Sequence, residues 1–152
     1  MSIYTGNIYK IKNYDLKTFD EIWYIVRSLK NNYLANETYH VPQLSPSYNL
    51  FYKYLNWKKN NLWNQKIFQD KYVPQFLSEI KSSQESRQYL NALCNKGIDK
   101  SILLLCYCQE EFLCHRSIIL GLIQGYYKEN NIQTKCGNFD YTKYFNQYIN
   151  KR

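Results

Sequence analysis

Between Ser101 and Gln109 the chain runs through seven consecutive apolar residues, Ile102-Leu103-Leu104-Leu105-Cys106-Tyr107-Cys108. A bilayer span needs roughly 20 such residues, so this run is too short to cross a membrane. It also lacks the polar alternation of a strand with one face in water. A strand apolar on both faces must be covered on both, which is the condition of a central strand in a parallel sheet. Parallel neighbours need crossover connections, usually helical. The run therefore points to an α/β chain.

The flanking segments fit that frame. Ser2–Tyr9 and Ile22–Leu29 are short, β-rich stretches suited to strands, and Ile132–Cys136 suits a last one. Asn31–Ser47, with Pro42 and Pro46, is expected to be a long loop. Ser45 as N-cap and Pro46 at the first helical position predict a helix carrying Leu50, Phe51, Tyr54 and Leu55. Phe68, Tyr72, Phe76 and Ile80 form a second apolar stripe, which Pro74 is expected to kink or split. Ser82 with Glu85 resembles a capping box for a third helix, ended by Gly97. Ser117–Tyr127 has one apolar helical face. The expected architecture is a single α/β domain over residues 1–137, Rossmann-like, with a largely parallel central sheet flanked by helices. Residues 138–152 form an aromatic, basic tail, expected to be helical and packed on the domain.

The net charge is +8 across 152 residues. Its basic residues are scattered, and the only adjacent pairs are Lys58-Lys59 and Lys151-Arg152, so no basic arm stands out. Five cysteines, an odd number, in a chain that opens without a signal-peptide pattern predict reduced thiols, not a disulfide framework. A cytoplasmic protein without membrane attachment is expected. Abundant Tyr, Asn and Lys match the codons of an AT-biased genome, and a phage or mobile-element origin fits that bias.

Three of the five cysteines, Cys106, Cys108 and Cys114, fall within nine residues and stand beside His115 and Arg116. The segment joins the apolar strand to the following helix, at the sheet edge where open α/β sheets bind ligands. A helix N-terminus attracts anions and lowers a thiol pKa. Three readings follow. In the first, Arg116 clamps a phosphate or carboxylate, His115 acts as acid or base, and Cys114 is a nucleophile. In the second, Cys106, Cys108, Cys114 and His115 bind a metal. Against it, C-x-C-x₅-C-H is not a zinc-knuckle spacing, and neighbouring side chains in a helix diverge by about 100°. In the third, the thiols are small core residues. A phosphatase loop is excluded, because it needs five residues between Cys and Arg, and Arg116 is only two beyond Cys114.

The Leu104-Leu105-Cys106-Tyr107 strand end and the Cys114-His115-Arg116 triplet resemble the YeaO-like family, domain of unknown function four-eight-eight. Ile3-Tyr4-Thr5, Leu44-Ser45-Pro46-Ser47 and the Tyr72…Phe76-Leu77 helix are similar to further family elements. The resemblance covers about Ser2 to Cys136. It implies an α/β fold and supplies no reaction. Cys108 stands where the family usually has a charged residue, which weighs against a shared metal site.

The leading expectation is a pocket with Cys114, His115 and Arg116 as catalytic residues. Cys106, Tyr107, Ser117, Arg27 and His40 are its ligand-binding residues. It would take a phosphate-bearing ligand, a nucleotide or nucleic-acid end, for hydrolysis or transfer, with no metal and no cofactor. The alternative is a non-catalytic interaction protein with a protein partner, such as an inhibitor of a nucleic-acid enzyme.

Overall fold

The computed structural model describes residues 2–29 and 37–150. Part of the expected loop, residues 31–36, and the Lys151-Arg152 pair lie outside them.

Five strands form one all-parallel sheet in the order β3-β2-β4-β1-β5. They are β1 (Ser2–Asn7), β2 (Glu21–Tyr24), β3 (Thr38–His40), β4 (Ser101–Cys106) and β5 (Lys135–Cys136). The apolar run supplies β4, paired with β2 on one side and β1 on the other, and Ile102–Cys106 are buried. Its covered faces match the expectation from its lack of polar residues. Helices flank the sheet, and the chain is an α/β fold. Among the described residues no helix is long and apolar enough to cross a membrane.

Several boundaries differ from the sequence reading. Thr38–His40 forms a strand inside the expected loop, in register with Ile22–Tyr24. Helix α1 (Tyr48–Lys59) is capped by Ser47, not Ser45, and its oxygen accepts from the Leu50 N–H at 3.1 Å. Ser45 is instead tied to the preceding 3₁₀ turn, its hydroxyl donating to the Pro42 carbonyl at 2.6 Å. Pro74 does not split its helix. A π turn (Phe68–Tyr72) joins α2 (Gln65–Ile67) to α3 (Val73–Ser82), and the widened turn lies where a proline ring would meet the preceding carbonyls. Phe68, Tyr72, Phe76 and Ile80 stay buried on one stripe. Ser83, not Ser82, caps α4 (Gln84–Lys96). Gly97 ends α4 in right-handed geometry (φ −65°), not the left-handed turn expected of a C′ glycine.

Helix α5 (His115–Glu129) packs on β1, β4 and β5, and α6 (Thr142–Ile149) lies against α5. Two α5 glycines permit that contact. A Cβ at Gly121 would fall 2.2 Å from the Tyr141 carbonyl oxygen, and one at Gly125 would fall 2.1 Å from Cγ of Phe145.

From β2 the chain leaves toward β3, whereas from β4 it passes β1 to reach β5. Outgoing connections therefore diverge between β2 and β4. A crevice is expected at the carboxyl edge of such a divergence.

Candidate ligand-binding site

The connection from β4 to α5 builds the site. Cys106 ends the strand, Tyr107 and Cys108 continue past it, and a 3₁₀ turn (Glu111–Leu113) returns the chain to α5. Cys114 is the N-cap residue and is extended (φ −132°, ψ 146°). Its carbonyl accepts from the hydroxyl of Ser117 at 2.8 Å and from that residue's N–H at 3.0 Å. Because Cys114 stands outside the helical geometry, its side chain and that of His115 do not diverge as two helical neighbours would. The Cys114 Sγ lies 3.2 Å from the Cys106 Sγ and 3.6 Å from Nδ1 of His115. Cys108 completes the group, and all four ligand atoms lie within 4.8 Å of one another.

His115 is fixed from its other side. Its Nε2 lies 2.7 Å from the Ile25 carbonyl oxygen, which can only accept, so Nε2 donates there and Nδ1 is turned toward the Cys114 sulfur. The Phe76 ring packs against the imidazole at 5.7 Å between centroids.

The thiols are not equivalent. Burial pushes Cys106 up and Cys114 well up, so both stay protonated. Hydrogen bonding from Cys106 and Cys114 holds Cys108 well below the ordinary thiol value, with a further hydrogen bond from His115. Cys108 is therefore the thiol of the cluster that loses its proton most readily. Cys114 has the helix N-terminus, but desolvation outweighs that field.

Beside the cluster lies a cavity of about 330 Å³. Cys108 and His115 form part of its wall, Val26 and Arg27 come from just beyond β2, and Tyr9, Tyr48, Phe51, Tyr54, Tyr72 and Tyr107 supply aromatic surface. It opens at the divergence of β2 and β4. Arg27 donates from Nε and Nη2 to the Pro46 carbonyl at 3.2 and 3.0 Å, and its guanidinium lies 5.3 Å from the Tyr48 ring centroid.

The structure thus brings Cys106, Cys114 and His115 together and puts Tyr107 and Arg27 on the cavity wall. It does not bring Arg116 there. Arg116 is 5% exposed, lines no part of the cavity, and its Nε has no hydrogen-bond partner among the described residues. His40 is also absent from the wall, its Nε2 lying 2.8 Å from the Val26 carbonyl oxygen. Ser117 is fully buried and serves the first turn of α5. The leading expectation from the sequence leaves out Cys108, which stands only in the metal alternative, and Phe51, Tyr54 and Tyr72, which stand only as members of helical stripes. The available signal was the i, i+3 recurrence of Tyr48, Phe51 and Tyr54 on one face of α1.

A family model described as the active DUF488-N3 subclade, DUF488-N3a, matches residues 8–127. The chain belongs to the DUF488 family. The family assignment read from the sequence is borne out. No curated protein and no solved structure matches the chain. The DUF488 match begins at Ile8, just after β1, and runs to Tyr127 in α5, and so includes every residue of the sulfur–imidazole cluster and of the cavity wall.

Proposed function

We propose that this DUF488 protein binds a phosphate-bearing aromatic ligand, a nucleotide or a nucleic-acid end, in the cavity between β2 and β4. Hydrolysis or transfer then takes place at the wall formed by Cys108 and His115. The observation that carries the reading is the make-up of that wall. Six aromatic side chains surround the space, with one anchored guanidinium beside them. Bases stack on aromatic faces for about 1–3 kcal/mol each, and a fixed guanidinium recognises phosphate oxygens in pairs. Arg27, rather than Arg116, meets the phosphate. The description of the subclade as active accords with chemistry at this site.

Calorimetric titration with nucleoside monophosphates, the matching nucleosides and inorganic phosphate tests the reading. Nucleotides are expected to bind more tightly than either fragment. Arg27→Met should weaken nucleotide binding by about 10-fold or more, since a hydrogen bond to a charged group contributes roughly 1.5–3 kcal/mol. No nucleotide binding, or equal binding by the variant, would overturn it.

A further inference from the structure

We propose that Cys106, Cys108, Cys114 and His115 form a zinc site of the Cys₃His type in the inner wall of the cavity. This goes beyond the ligand reading and does not require it: with zinc held by all four side chains, Cys108 and His115 border the ligand as part of the centre and do not react with it as free groups.

Geometry is the first support. Zinc bonds of about 2.3 Å to sulfur and about 2.0–2.1 Å to nitrogen place tetrahedral ligand atoms about 3.5–3.8 Å apart. Here the measured separations are 3.2 Å between Cys106 and Cys114 and 3.6 Å between Cys114 and His115, with the whole set inside 4.8 Å. The side chains already point at a common centre, and small shifts complete the tetrahedron. The objection that adjacent Cys114 and His115 cannot share an ion presumes helical geometry at both. Cys114 is extended, and the two side chains converge.

The imidazole is prepared for the same task. Metal-binding histidines usually donate their second ring N–H to a carbonyl or carboxylate, which fixes the tautomer and the ring plane. His115 has that arrangement through Ile25, leaving Nδ1 on the sulfur side. Three thiolates and an imidazole suit zinc, whereas magnesium and calcium prefer oxygen.

Charge supplies an independent argument. None of the ion pairs among the described residues includes Arg116, although it is buried. A buried guanidinium without a counter-charge is costly. Zinc with three thiolates and a neutral imidazole carries a net charge of −1, and Arg116 is a buried cation directly beside the ligand His115 at the start of α5. Arg116 is thereby assigned a positioning role as the counter-charge of the centre. On binding, the thiols that are still protonated release their protons to solvent, and no electron changes hands.

The test uses the full chain, stripped with chelator under reducing conditions, incubated with excess zinc and desalted. Wild type and Cys136→Ser, which lies outside the cluster, should each retain one zinc per chain. With cobalt in place of zinc, both should show the visible bands of a tetrahedral thiolate complex. Cys108→Ser should lose the tetrahedral spectrum and bind zinc far more weakly. Arg116→Met should lower affinity by about 10–100-fold, the usual effect of losing an outer-shell partner, and Arg116→Lys should recover part of it. Wild type that is folded yet retains no zinc, or an octahedral cobalt spectrum, would overturn the proposal. So would equal zinc affinity in the Cys108 variant. Nucleotide titration of the metal-free protein, run alongside, reports on the ligand reading separately.

Discussion

Replacing Glu21 probes how β2 is held in place to deliver Val26 and Arg27 to the cavity. Its side chain is 1% exposed, at the start of β2, and accepts from Nε1 of Trp23 at 2.8 Å. Lys96 and Lys100 reach the same carboxylate at 3.1 and 3.0 Å. Burial raises its pKa, but the hydrogen bonds from Trp23, Lys100 and Lys96 outweigh that, so the carboxyl sits below its ordinary value. Removing one partner of a buried ion pair costs about 3–5 kcal/mol when the other charge stays buried. Here the lysine side chains are 36% and 46% exposed and can regain water, so that figure is too large. What Glu21→Ala strands is the Trp23 N–H, at about 1–3 kcal/mol, together with charged hydrogen bonds to half-solvated lysines. The expected loss is about 2–3 kcal/mol. Glu21→Gln keeps an acceptor for Trp23 and should lose about half as much. Because the folded pKa is depressed, this stability is fully present above the unfolded value. It disappears as pH falls through the folded value. Urea unfolding of the wild type and both variants, at neutral pH and at successively lower pH, reads both quantities. The variants should approach wild type in acid. A neutral-pH loss below about 0.5 kcal/mol, or a gap that does not narrow in acid, would refute the reasoning.

Gly125→Ala should destabilise the protein by about 1–3 kcal/mol, the usual cost of overpacking, because its Cβ would fall 2.1 Å from the Phe145 ring. A lowered Tm with faster proteolysis at Lys143 reports the loosening of α6, and an unchanged Tm contradicts the packing. Burial pushes the Cys94 thiol up to about 12, so iodoacetamide at mildly alkaline pH should modify Cys108 well before Cys94 in metal-free protein, as mass spectrometry would show. Tyr127→Phe removes a hydrogen bond of 2.7 Å to the Cys94 carbonyl and should cost about 1–2 kcal/mol in denaturant unfolding, with nucleotide binding unchanged.

The central strand was legible because Ile102–Cys106 is apolar without a break, and only a doubly covered strand suits that pattern. Cys106, Cys114 and His115 were legible as a group because a strand end and a helix start, eight residues apart, must meet at one sheet edge. Thr38–His40 was not, since a three-residue strand carries no periodicity and exists through pairing with β2. The caps moved by one or two residues because Ser45 and Ser47, like Ser82 and Ser83, are equivalent in composition and differ only in what tertiary packing offers them. Arg116 looked like a ligand clamp from its place beside Cys114 and His115. Its long side chain leaves the cavity side, which spacing along the chain does not encode. The aromatic wall was hidden for a further reason. A helical stripe of Tyr and Phe looks the same whether it faces a core or a cavity.

A crystal structure of the protein grown with a nucleoside monophosphate tests the account most directly. The account predicts the base among Phe51, Tyr54 and Tyr107, the phosphate on Arg27, and the reacting bond turned toward Cys108 and His115. A nucleotide seated elsewhere on the surface, with this cavity filled only by solvent, would contradict it.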